Sequence, residues 1–542
     1  MKKIITLFLA VIMILTTLTG CQSGLGNTKE EEDSKTLSVH IGPEPETIDP
    51  TLNTAVYSAT LIIHAFEGLM KLDEQGVPVE GQAKEFEVSD DGLTYTFTLR
   101  DDIKWSDGQS VVAEDFIYAW KRAIDPVTAS DYSNMFSVIV GAEEISTSKE
   151  GATMDDFGAK AIDEKTIEIK LNAPTPYFLE LLAFPTYMPV RKDIVEGNEA
   201  WATTPETYIT NGPYQLKSWT HDSEMVYAKN ENYYNVDKLG PDQIRFVLLS
   251  DDNAILSAYK NGEILFADNM PGAEIDAWKD SDEFFLETQL GTYFMVFNTQ
   301  VKPFDNPKVR QALSLAIDRN FIAEQIGKSG QLPAAAFVST GIKDGDKSKE
   351  FRDVGGDYYS VAEEDYEDNV EKAKELLAEA GYPNGEGFPQ IEYIYNEGSL
   401  HGDTAQALQN MWKEELGIET SIVAQEWTVF LNNRSSGNFQ IARHGWVADY
   451  NDPISFMDTW TTTSGNNVAQ WSNSGYDKLV NEIKSSDDNT ERFVKLHEAE
   501  DILMEEMPVA PLFYYVDLYL KRPNLEGFYS SPLGFRSLCT QK

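Results

Sequence analysis

Leu93-Thr94-Tyr95-Thr96-Phe97-Thr98-Leu99 alternates apolar with polar side chains, and Ile167-Glu168-Ile169-Lys170-Leu171 repeats the same two-residue period. Such alternation predicts half-buried β-strands. Elsewhere the period lengthens. Val309, Ala312, Leu313, Ala316 and Ile317 follow Asn306-Pro307 at helical offsets, with an asparagine to cap the first turn and a proline inside it. Val370, Ala373, Leu377 and Ala380 define a second helix, expected to stop at Gly381 with Pro383 beyond. Strands and helices alternate along the chain with no detectable internal repeat, so the pattern predicts a mixed α/β fold.

The N-terminus has a different pattern. Met1-Lys2-Lys3 precedes an apolar run from Ile4 to about Leu18, then Leu18-Thr19-Gly20-Cys21 and an abrupt change to polar residues. This is the tripartite form of a secretory signal, and the run is shorter than the ~20 residues that span a bilayer. A cysteine just after the small residues resembles the lipobox of bacterial lipoproteins, which implies cleavage after residue 20 and acylation of Cys21. An ordinary signal with an incidental cysteine is the alternative. Buried acyl chains contribute ~0.8 kcal/mol per CH₂, and stable anchoring takes more than one chain. Gln22 to Lys35 is polar and almost without large apolar side chains, so residues 21–35 read as a flexible linker. Stretched, it reaches up to about 45 Å.

Charge narrows the partners. Eighty-nine acidic against 44 basic residues give −45, or −47 once Lys2 and Lys3 are removed. Nucleic acid is disfavoured as a partner. With 42% hydrophobic and 11% aromatic residues, the acidity marks a solvated surface over a large core and not a disordered chain. Cys539 is the one cysteine besides Cys21, so lipidation of Cys21 excludes an intrachain disulfide.

The search for chemistry is mostly negative. His40, His64, His221, His401, His444 and His497 include no pair at i, i+4, and neither HExxH nor GxSxG occurs. Gly327-Lys328-Ser329 imitates the end of a phosphate loop, but Ile322 stands where that loop needs glycine. Asp344-Gly345-Asp346 reads as a solvated turn without the further ligands that calcium requires. No catalytic residue, metal or cofactor is expected.

The remaining marks are Glu67-Gly68-Leu69, Ala83 to Gly108 ending in Lys104-Trp105-Ser106-Asp107-Gly108, Thr210-Asn211-Gly212-Pro213-Tyr214, Pro303-Phe304-Asp305-Asn306 and Ala316-Ile317-Asp318-Arg319. A more discriminating block is Ala442-Arg443-His444-Gly445-Trp446-Val447-Ala448-Asp449-Tyr450-Asn451-Asp452-Pro453. Together they resemble the extracytoplasmic solute-binding proteins of peptide importers, and within them the oligopeptide-binding type.

The resemblance implies a two-lobed, three-domain α/β fold of the periplasmic-binding-protein kind, with a hinge and a ligand site buried between the lobes. Domain I is expected over 36–66, 190–290 and 517–542, domain II over 67–189, and domain III over 291–516. It implies capture of short peptides, delivery to the permease subunits of an ATP-driven importer, and a monomer tethered through Cys21 to the extracytoplasmic face of the cell membrane.

Residue by residue, it assigns Asp449 to the peptide α-ammonium, although an aspartate there also serves to cap the following turn. Gly445 and Val447 match one strand holding the peptide backbone, and Thr54, Ala55 and Val56 match the other. Gly445 is expected to allow close backbone approach, or else to mark a bulge. Trp427 and Trp446 match walls of side-chain pockets, and Tyr515 a hinge-side tyrosine; each also fits a core position. Arg443 and His401 match cations for the peptide carboxylate at different peptide lengths. The chain departs from well-known members at Gly291, where a disulfide begins in them, and at Val296 and Thr54, which replace acidic residues. A surface receptor for one signalling peptide and a binder of dipeptides or another small solute are the alternatives. An exported hydrolase lacks a nucleophile and base.

Overall fold

The two segments of alternating sequence become neighbours in space. Strand Thr94–Leu99 lies antiparallel to strand Thr166–Lys170, with Phe97 opposite Ile167, so the apolar faces of both turn to one side. A computed structural model describes residues 36–539 apart from Gln75, Lys347 and Asp487. The signal segment, the linker and Cys21 therefore lie outside the described residues.

With Ala83–Val88 and Ala159–Ala161 these strands make one four-stranded antiparallel sheet. A second sheet of four joins Thr36–Gly42, Gln243–Leu248, Glu224–Lys229 and Tyr214–Thr220, its first pair parallel. The third has seven strands. Its centre is the antiparallel pair Phe284–Phe297 and Val509–Lys521, flanked by Ile441–Val447, Ile391–Asn396 and Thr420–Gln425. Described residues from Thr36 onward form one compact unit.

Both expected helices are present. Asn306 Oδ1 accepts from Lys308 N at 3.0 Å and opens helix Pro307–Leu315. The apolar face extends to Ile317, but the helix stops two residues earlier, at Leu315. Helix Tyr366–Glu379 packs beside it, burying Val370, Ala373 and Leu377, and Gly381 leaves it at φ 97°.

The limits expected at 290/291 and 516/517 fall inside the two longest strands, Phe284–Phe297 and Val509–Lys521. Pairing between them jumps from Thr288–Val516 to Thr292–Tyr514, so three residues of one strand face Tyr515 alone on the other. Such a bulge bends a strand pair locally.

Away from this break, residues 134–180 meet residues 450–492. Tyr177 stacks on Tyr450 with ring centres 4.7 Å apart, Asn134 Nδ2 donates to Asp458 at 2.8 Å, and Lys484 Nζ bridges Asp458 and the Ser137 hydroxyl. Arg492 forks onto Asp452 at 2.5 and 3.0 Å.

Candidate functional site

Six residues after Arg443, the chain leaves strand Ile441–Val447 and delivers Asp449 into a cavity of about 600 Å³. The turn that follows is capped by Asp452, whose Oδ1 accepts from Ile454 N at 3.1 Å. Asp449 is thereby released from that task. Its backbone N–H donates to Ser455 Oγ at 2.8 Å, and its carboxylate accepts from the Tyr132 hydroxyl at 3.1 Å. No arginine or lysine reaches it among the described residues, and burial, reinforced by Asp458, holds its carboxyl well above the usual range. A carboxylate in that position gains strongly from an incoming cation.

All eleven cavity residues named from the sequence line this one space: Thr54, Ala55, Val56, His401, Trp427, Arg443, Gly445, Trp446, Val447, Asp449 and Tyr515. All except Trp446 keep part of their surface accessible. Strand Ile441–Val447 pairs fully along one edge with Phe284–Phe297. Along the other edge, among the described residues, only Ile441 and Ala442 pair, with Tyr393 and Ile394. Residues 443–447 therefore offer an open strand edge to the cavity, the form of template to which an extended backbone adds.

One expectation needs correcting. Thr54, Ala55 and Val56 are not a strand. Ala55 is extended at φ −111°, ψ 135°, but Val56 already begins helix Val56–Ala65, and Ala55 N is held by Asn53 Oδ1 at 3.1 Å. The two residues between Asn53 and the helix, Thr54 and Ala55, are too few for a ladder. Gly445 marks no bulge, since its pairing with Tyr293 is in continuous register, and its missing side chain makes room for Tyr515: a Cβ there would stand 2.0 Å from the Tyr515 hydroxyl oxygen. Gly291, across the sheet from Val447, makes the other wall of the Tyr515 cradle, its Cβ position being 2.8 Å from Cδ2.

Trp427 opens helix Trp427–Ser435, half-buried and edge-on to Tyr57 at 6.3 Å. Trp446 is buried and donates from Nε1 to Ser455 O at 2.9 Å. Val296 is wholly buried in the sheet and does not line the cavity.

Arg443 donates from Nη2 to the Tyr515 hydroxyl at 3.0 Å and lies over the Tyr293 ring at 4.9 Å. Its Nε has no hydrogen-bond partner among the described residues. His401 is held neutral, its pKa driven well below 6.5 by burial and by Arg443.

Sequence reasoning missed four charged or polar groups here, Tyr132, Arg434, Asp131 and Glu46. Tyr132 comes from a segment 317 residues away from Asp449 and carried no motif. Arg434 stands seven residues after Trp427 on the same helix, a spacing that puts both on one face. Burial and Arg443 lower its pKa to about 9. Asp131 is pushed up to about 6 by burial and by Glu46. The cavity thus carries acids toward Asp449 and Asp131 and guanidinium groups at Arg443 and Arg434.

The sequence model of bacterial extracellular solute-binding proteins, family 5 (middle), matches residues 77–468. The oligopeptide-binding protein OppA of Bacillus subtilis (strain 168) is 36% identical over 538 residues, covering 96% of this chain and 96% of that protein. The structure of the Escherichia coli murein tripeptide binding protein MppA is 31% identical and superposes with a TM-score of 0.86, covering 94% of this chain and 99% of its own. MppA in its unliganded open form, at 32% identity and covering 92% and 95%, gives only 0.60. Identity is nearly the same in both, so the lower score reflects arrangement: this chain is disposed like the first structure and unlike the open one.

Proposed function

We propose, from the premise that this chain belongs to the bacterial extracellular solute-binding proteins of family 5, that its ligands are short peptides held in extended form. As a solute-binding protein of this family it works outside the cytoplasm and is not an enzyme. The observation that carries the peptide reading is the open strand edge of residues 443–447, bracketed by the lone carboxylate of Asp449 and the guanidinium of Arg443. A zwitterionic peptide presents the same three features in complement: an ammonium, a row of backbone donors and acceptors, and a carboxylate. Main-chain pairing gives affinity without reading sequence, and Asp449 fixes the register.

Closure follows from the same arrangement. Residues 67–189 and 291–516 would part about the bulge where Tyr515 sits, and re-form the Tyr177–Tyr450 and Asn134–Asp458 contacts when ligand is enclosed. The closed form is then what the permease of an ATP-driven importer recognises. Mass spectrometry of ligand released by denaturing the purified protein should show a mixture of short peptides. A single peptide sequence would instead mark a receptor for one signal, and a non-peptide solute would defeat the reading.

The lipid on Cys21 belongs to the same proposal. A tether makes the search for the importer two-dimensional and raises effective concentration. Cys21→Ala should release the protein into the medium with peptide affinity intact; retention in the membrane fraction would count against lipidation.

A further inference from the structure

Tyr293 is wholly buried in strand Phe284–Phe297, opposite Gly445. A tyrosine so placed needs a partner for its hydroxyl, and here the partner is His401 Nδ1 at 3.1 Å. The face of the same ring lies beneath the Arg443 guanidinium at 4.9 Å. Behind it the ring stacks on Phe513 at 4.5 Å, which fixes its plane. One side chain therefore touches both groups expected to meet a carboxylate, and it does so from the side away from solvent.

Resting on the peptide reading above, the geometry points to Tyr293 as a positioning residue that orients both Arg443 and His401 for reading a peptide carboxylate. The hydroxyl donates to Nδ1, which places the one imidazole proton on Nε2, where it is available to an anion in the cavity. Burial keeps the ring neutral, so the tautomer alone decides whether Nε2 donates or repels. The ring face steadies the guanidinium, whose Nε is without a hydrogen-bond partner among the described residues. Gly398 adds to the fit: at φ 140° it takes a backbone conformation open to glycine, and a Cβ there would stand 3.1 Å from His401 Cδ2.

Two randomised pools of tri- to pentapeptides test this, one with free C-terminal carboxylates and one amidated, measured by calorimetry on the wild type, Tyr293→Phe and Tyr293→Leu. The wild type should prefer the free acids. Tyr293→Phe keeps the ring and should lower free-acid affinity about tenfold while leaving amides unchanged, and Tyr293→Leu should erase the preference. Nitrogen-15 spectra of labelled histidine should show His401 as the Nε2-protonated tautomer in the wild type and a mixture in Tyr293→Phe. Unaltered preference and unaltered tautomer in Tyr293→Phe would overturn the role of Tyr293 and leave the peptide reading standing. A wild type indifferent to amidation would remove the carboxylate assignment itself, and this proposal with it.

Discussion

Replacing Asp449 by alanine is expected to weaken binding of peptides with a free amine by roughly 2–5 kcal/mol, the cost of leaving one partner of a buried charge pair alone. The expectation rests on two features of the site. Among the described residues the carboxylate has no cation of its own, and its only side-chain partner is the neutral hydroxyl of Tyr132. N-acetylated peptide should lose a similar amount against the wild type and little more against Asp449→Ala. If calorimetry finds the two losses additive, Asp449 and the ammonium do not meet.

The same pair sets a pH dependence whose sign follows from linkage. In the empty site the Asp449 carboxyl is raised by burial, and an ammonium brought beside it lowers it again. Binding therefore releases a proton wherever the free carboxyl is protonated. Affinity is fully present above the pKa of the empty site and is lost as pH falls through it. It also falls on the alkaline side, as the peptide amine deprotonates near ~8. Asp449→Asn should abolish the acid limb and keep the alkaline one.

Removing Glu500 should cost about 3–5 kcal/mol of folding stability, the range for breaking a buried ion pair from one side. Its carboxylate is 0% exposed. It accepts both nitrogens of the Arg352 fork, at 2.7 and 2.9 Å, and the backbone N–H groups of Phe337 and Val338 at 3.2 and 2.8 Å. Glu500→Ala strands a guanidinium and two backbone donors together. Urea unfolding should report the loss, and replacing both partners by apolar residues should recover part of it. A loss below about 1 kcal/mol would mean that water reaches the site and that the pair is worth no more than an exposed one.

Local chemistry explains which elements could be read from the chain. The strands around Phe97 and Ile169 and the helices at Pro307 and Tyr366 announce themselves because one face is buried and the period is regular. Thr54 to Val56 could not be read this way. Their extended start and helical end differ by one residue, and only the Asn53 turn decides between them. The stretch of lining from Arg443 to Asp449 was legible because it lies in one continuous block, 442–453. Tyr132 and Tyr293 were not, since each is defined by a partner distant in sequence. Glu500 gave no signal either: a glutamate in a helix reads as exposed until Arg352 is placed against it.

The contacts of Asn134, Ser137 and Tyr177 with Tyr450, Asp458 and Lys484 lie outside the cavity lining. If closure makes them, they set the fraction of empty protein already in the competent arrangement, and every ligand's apparent dissociation constant is its intrinsic one divided by that fraction. Substitution at Lys484 or Tyr177 would then scale the affinity for all peptides by one factor and leave their ranking untouched. Gain and tuning are thus separable in this protein, so selection can adjust how hungrily a cell collects peptides without altering its choice among them.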